Sequence, residues 1–129
     1  MSAGAFHAIA PRRVYDSRTG KAPLTVFKGK LNPGENRAVD CTVDAPDVPS
    51  TSKAVVLNLT AANTTGTGNL AVYPDGTPAP STSSINYTGL NIANSTTSGC
   101  GPGAKVRVQC GATGATGADF IIDILGYYV

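Results

Sequence analysis

Along much of the chain apolar and polar residues alternate one for one. In RAVDCTVD (37–44), Val39, Cys41 and Val43 fall on one face of an extended chain, with Asp40, Thr42 and Asp44 on the other. AVVLNLTA (54–61) sets Val55, Leu57 and Leu59 against Asn58 and Thr60. AKVRVQC (104–110) sets Val106, Val108 and Cys110 against Lys105, Arg107 and Gln109. ADFIIDILGYY (118–128) sets Phe120, Ile122 and Ile124 against Ile121, Asp123 and Leu125. A period of two belongs to a half-buried β-strand, because successive side chains leave opposite faces of a sheet. The shorter stretches RVYDS, LTVFK, NLAVY, SINYT and NIANS carry the same β-branched and aromatic content.

Clusters of turn residues separate these segments: SRTGKAP, LNPGEN, APDVPSTS, NTTGTGN, PDGTPAPS and SGCGPGA. No window carries a helical stripe. The pattern predicts an all-β fold, a single jelly-roll-like β-sandwich over residues 1–129, built from about 8–10 short antiparallel strands. The repeat GATGATGAD (111–119) reads as a small-residue loop before the last strand, since a collagen-like segment needs many more triplets with proline in them.

Composition narrows the function classes. The 129 residues include only 14% charged side chains and a net charge of +2. That is too little for a nucleic-acid or membrane-surface protein, and no basic run occurs. The longest apolar runs are strand-sized, so no membrane insertion is expected. The N-terminal MSAGAFHAIAPRR lacks the charged and apolar regions of a signal peptide. Four N-x-T sequons, at Asn58, Asn63, Asn86 and Asn94, fit chance in an Asn- and Thr-rich chain. The three cysteines are Cys41, Cys100 and Cys110, an odd number that rules out a closed disulfide framework. Cys100 and Cys110 are the candidate disulfide, worth about 3 kcal/mol at most, against the alternative of three free buried thiols. One histidine and three scattered cysteines make no zinc spacing, and no cofactor is expected.

Candidate chemistry is sparse. A nucleophile would have only His7 as its base, and no Gly-x-Ser-x-Gly turn occurs. Carboxylate pairs for glycoside hydrolysis would have to come from aspartates at turns or on outward strand faces. The expectation is therefore a protein that is not an enzyme. Tyr73, Tyr87, Tyr127 and Tyr128 lie among Asn, Thr and Asp, a composition suited to glycan or interface contacts. The alternative is that they are core aromatics at strand ends.

One short stretch concentrates charge: PRRVYDSR (11–18) places Arg12, Arg13 and Arg18 around Asp16. It resembles the Pro-x-Arg-x-x-Asp-Thr/Ser-Arg opening of a β-rich module of actinobacterial secreted and cell-surface proteins. That module is also found in virion proteins of phages infecting those bacteria. AVVLNLTA resembles its central strand, NLAVYPDGTPAPSTSSINY its Tyr-Pro-x-Gly segment, and DFIIDILGYYV its closing strand. The matches run in order from about residue 6 to 129. The resemblance implies a non-catalytic module for display, adhesion or assembly.

Bacterial copies usually follow a signal peptide, whereas a phage protein needs none, because lysis releases it with the virion. The resemblance thus points to a virion structural protein, either a capsid decoration protein or a small minor tail protein, on the particle surface. It would be a homo-oligomer, with a trimer favoured, contacting other virion proteins and in some positions the host cell-wall glycan. A glycan-binding adhesion module of the cell surface is the alternative. The motif maps onto Pro11, Arg13, Asp16 and Arg18. Asp16 paired with Arg13 or Arg18 would then form a structural clamp, with Asp123 on the last strand as a second candidate partner for an arginine.

Overall fold

The chain was analysed as a computed structural model, which describes residues 5–112 and 117–129. Of the predicted 111–119 loop, residues 113–116 lie outside the described residues, while Gly111 and Ala112 end one strand and Asp119 begins the next. Eight strands follow in order: β1 (Phe6–Asp16), β2 (Asn36–Asp40), β3 (Ala54–Ala62), β4 (Thr67–Pro74), β5 (Ile85–Thr88), β6 (Ile92–Gly99), β7 (Lys105–Ala112) and β8 (Asp119–Tyr128). Among the described residues there is no helix. The strands form two four-stranded antiparallel sheets, in the orders β1-β8-β3-β6 and β2-β7-β4-β5.

The pairing is nested. β1 pairs with β8, β2 with β7, β3 with β6 and β4 with β5. This is one long hairpin whose two arms stay paired while it rolls up. Rolling adds the β3–β8 and β4–β7 pairings that complete the sheets. The result is an eight-stranded jelly roll.

The alternating segments explain how the sheets face each other. Val55, Leu57 and Leu59 on β3, Phe120, Ile122 and Ile124 on β8, Val106, Val108 and Cys110 on β7, and Leu70 on β4 are all fully buried. They belong to one core cluster that draws on both sheets. Tyr87 and Ile85 of the short β5 close it from the edge.

Three expected segments differ from their sequence pattern. RAVDCTVD is a strand only to Asp40. There the Asp40 carboxylate accepts hydrogen bonds from the Thr42 backbone N–H (2.9 Å) and hydroxyl (2.6 Å), turning the chain. LTVFK is loop, because the Lys28 ammonium gathers the carbonyls of Asp16, Lys21 and Pro23 at 2.6–3.0 Å. The chain around it is thereby wound into a tight coil that leaves no extended segment to pair. Conversely, β1 begins at Phe6 and not near Arg13. Its first half is an exposed edge strand without alternation, interrupted where the register jumps from Ala8–Gly126 to Arg12–Ile124.

Strand direction collects the β1–β2, β3–β4 and β5–β6 connections, with the end of β7 and the start of β8, at one end, here termed the loop end. The other connections and both ends of the described chain lie opposite.

Gly68 lies directly beneath the Tyr87 ring, and a methyl group there would overlap it. Gly68→Ala should therefore cost about 1–3 kcal/mol, the range for overpacking. The check is the urea midpoint, which should fall with the slope unchanged. An unmoved midpoint would place Tyr87 elsewhere.

Candidate functional site

The loop end is the most elaborated part of the molecule, and its organisation starts at Asp16. Asp16 is the last residue of β1 and has no exposed surface. Its carboxylate receives the Arg18 guanidinium at 3.0 and 2.8 Å and the Arg18 backbone N–H at 3.0 Å. Arg13 approaches it at 3.7 Å while binding Asp123 of β8 through two nitrogens, at 2.8 and 3.2 Å. Burial alone would push the Asp16 carboxyl up. The hydrogen bonds from Arg18 and the charges of Arg18 and Arg13 outweigh it and hold the group below the ordinary carboxylate value. All four sequence-predicted ion-pair residues are thus brought together in one chain of contacts, Arg18–Asp16–Arg13–Asp123.

The next residue continues the anchor. The Ser17 hydroxyl donates to the buried Asp119 carboxylate (2.7 Å) and accepts the Phe120 backbone N–H (2.9 Å). Asp119 also accepts the Asn63 side-chain amide at 2.8 Å. Asn63 in turn holds two neighbours: its carbonyl accepts Lys30 (2.7 Å), and its backbone N–H donates to Asn91 (3.0 Å). Three connections, 17–35, 63–66 and 89–91, are therefore bonded to one another. Arg37 adds hydrogen bonds to the Tyr15 hydroxyl and to the Gly29 and Lys30 carbonyls, and the Tyr15 hydroxyl donates to the Phe27 carbonyl.

This framework displays apolar side chains to solvent. Leu24 and Phe27 are each 71% exposed and Leu90 73%, with Ile92 at 43% beside them. The Arg37 guanidinium lies 4.7 Å from the Phe27 ring centre and fixes the ring while leaving most of it open. None of these residues stood out in the sequence. The one available signal was that LTVFK is apolar yet lies between two turn clusters.

The tyrosines divide. Tyr73 and Tyr87 are buried, at 5% and 1% exposure, so they are not glycan contacts. Tyr87 faces the core beside Ile85, and its hydroxyl pairs with the Cys110 sulfur at 3.5 Å. Tyr127 and Tyr128 are half-buried at the end opposite the loop end. There Tyr127 stacks on His7 (5.0 Å) and Tyr128 packs against Phe6 (5.2 Å). His7, the sole histidine, has an aromatic neighbour and no nucleophile, and no group of metal-ligating side chains occurs among the described residues.

The candidate Cys100–Cys110 disulfide is not formed: all three cysteines are free thiols. Cys100 follows β6 at the start of the tight 101–105 turn, whereas Cys110 lies far along β7, in the core. Extended β-structure separates them by roughly 3.3 Å for each residue of β7 between them. Burial raises all the resolved thiol pKa values, Cys100 to about 11 and Cys41 higher still.

No protein-family model and no curated protein matches the sequence. Among solved structures, the tobacco streak virus coat protein is similar over 95% of this chain and 85% of that one, with a TM-score of 0.43 and 14% identity.

Asp16→Asn leaves Arg18 and Arg13 without their shared carboxylate. It should cost about 3 kcal/mol, the low end for a broken buried pair, because both arginines reach solvent. The folded-state carboxyl is held below its unfolded value, so its contribution is present above the ordinary carboxylate range and is lost as pH falls through the folded value. Urea titrations should show the gap between wild type and variant narrowing below about pH 4. A constant gap down to pH 2 would mean that charge is not what Asp16 contributes. A thiol reagent at neutral pH should modify at most Cys100, slowly, in the folded protein, and all three cysteines once it is unfolded without reductant. Fewer than three would reveal a disulfide.

Proposed function

We propose that the chain is a non-enzymatic structural protein of a bacteriophage virion, a capsid decoration protein or small minor tail protein on the particle surface. The observation that carries this reading is the loop end. Exposed large apolar side chains gathered at one end of a domain mark a contact surface. Here Leu24, Phe27 and Leu90 stand on connections that are hydrogen-bonded to one another, so little conformational entropy is lost when they are covered. The occupant is a second copy of this chain: apolar ends meet around a symmetry axis in a homo-oligomer, with a trimer favoured. The ordered resemblance of its four motifs to a module of phage virion proteins supports the same reading. So does a fold whose uses include capsid subunits.

The second reading is a glycan-binding adhesion module facing the host envelope. It is favoured by the aromatic group Phe6, His7, Tyr127 and Tyr128 at the opposite end, where rings are partly open for stacking.

Sedimentation equilibrium tests the first reading. The wild-type chain should be a small closed oligomer at micromolar concentration, and the double variant Phe27→Ser/Leu90→Ser should sediment as a folded monomer. A monomeric wild type, or an oligomer that the variant leaves intact, would sink the assignment of the loop end to self-assembly.

A further inference from the structure

We propose that the outer face of the β2-β7-β4-β5 sheet carries a binding cleft for a single neutral saccharide unit. This site uses neither a tyrosine nor the exposed side chains of the loop end, and it does not rest on the virion reading. The cleft has a volume of about 160 Å³. Its floor is Asn69 and Ala71 of β4 with Gln109 and Gly111 of β7, and its wall is the stretch Pro80–Ser83 of the β4–β5 connection.

The polar groups of the floor are unspent. Asn69 and Gln109 are half-buried, yet neither side-chain amide has a hydrogen-bond partner among the described residues. The register puts Asn69 opposite Gly111 and Gln109 opposite Ala71, so the two amides lie diagonally across neighbouring strands on one face. Gly111 is a further sign of a shaped site. A Cβ there would come within 2.9 Å of the Asn69 Oδ1 and 3.1 Å of its Nδ2, so the amide lies down over the glycine. Gly111 has no positive φ, so it is the space taken by the Asn69 amide, and not the backbone, that a larger residue there would disturb.

The wall is held in place. Ser84 donates its backbone N–H to the Leu70 carbonyl (2.8 Å) and its hydroxyl accepts the Val72 N–H (3.0 Å), while the Ser83 hydroxyl bonds Asn86 (2.9 Å).

The chemistry selects the ligand class. Each amide offers both a donor and an acceptor, as do the hydroxyls of Ser81 and Thr82. A sugar hydroxyl likewise donates and accepts, and can take the place of the waters that such groups otherwise hold. The Ala71 methyl and the Pro80 ring supply a small apolar patch for the ring C–H groups. An anion has nothing to meet: the nearest cation on this face, Arg107, is already bound to Asp75 (3.0 Å) and Asn36 (2.6 Å). The volume suits one sugar ring seated on the floor.

The test is a series of ¹H–¹⁵N correlation spectra of the full chain, titrated separately with glucose, galactose, mannose and N-acetylglucosamine to about 50 mM, since a site this small binds at millimolar levels. At least one sugar should give saturable shifts at the side-chain NH₂ groups of Asn69 and Gln109 and in the backbone of 80–83. Gln109→Leu should weaken that binding roughly tenfold. Ser81→Ala, on an exposed loop and harmless to folding, should weaken it measurably as well. No saturable shift with any of the four sugars would overturn the proposal, as would equal shifts from glycerol or from sulfate. The loop-end variant Phe27→Ser/Leu90→Ser should keep the sugar response, so failure of this site and failure of the assembly surface are read separately.

Discussion

A carboxylate with no exposed surface has to be neutralised where it stands, and the loop end is arranged around that requirement at Asp16. Asp16 sits where β1 leaves the sheet, so whatever pairs with it also decides the path of the chain beyond. Arg18 folds back onto it, Arg13 links it to β8 through Asp123, and Ser17 reaches across to Asp119 at the start of β8. From there Asn63, Lys30 and Asn91 tie in the neighbouring connections. The charge concentrated in PRRVYDSR thus serves position: it fixes the first and last strands of a rolled hairpin and the loops that leave them.

The legible parts of the fold are those in which one side of a strand is core and the other is not. β3, β7 and β8 show it best, because their inward rows are unbroken: Val55, Leu57, Leu59; Val106, Val108, Cys110; Phe120, Ile122, Ile124. The first half of β1 has no such row. It is an edge strand lying outside the core, with an irregular register, so nothing in its side chains marks it as a strand. The 17–35 connection was illegible for a different reason. Its order comes from Lys28, Arg37 and Tyr15 bonding backbone carbonyls that are distant in sequence or have no pattern.

The clamp residues were readable because PRRVYDSR concentrates charge in a chain that has little of it. The tyrosines were readable only in part. Tyr87 shares a face with Ile85 in INYT, a period-two signal that already places it inside. Tyr73 pairs with Arg107 on what register makes the outer face, and is buried nonetheless. The stretch 80–83 of the β4–β5 connection stands beside Ala71 on the same face, so this side of the sheet is not simply solvent, and no local pattern records that.

A jelly roll does not close, so its edge strands need managing. β1 breaks its edge with a register jump around Pro11, and β6 presents Asn94, Ser95, Thr96 and Thr97. Neither is a long, regular, apolar edge of the kind that adds strands from another chain. Lateral sheet extension is thereby disfavoured, and the apolar surface available for specific contact is concentrated at the strand ends. A contact made at the end of a sandwich lies along the strand axis, whereas the Asn69–Gln109 cleft opens perpendicular to it. Contacts made at the loop end through Leu24, Phe27 and Leu90 therefore involve different residues from those that line the cleft, so the two proposed surfaces do not compete for side chains.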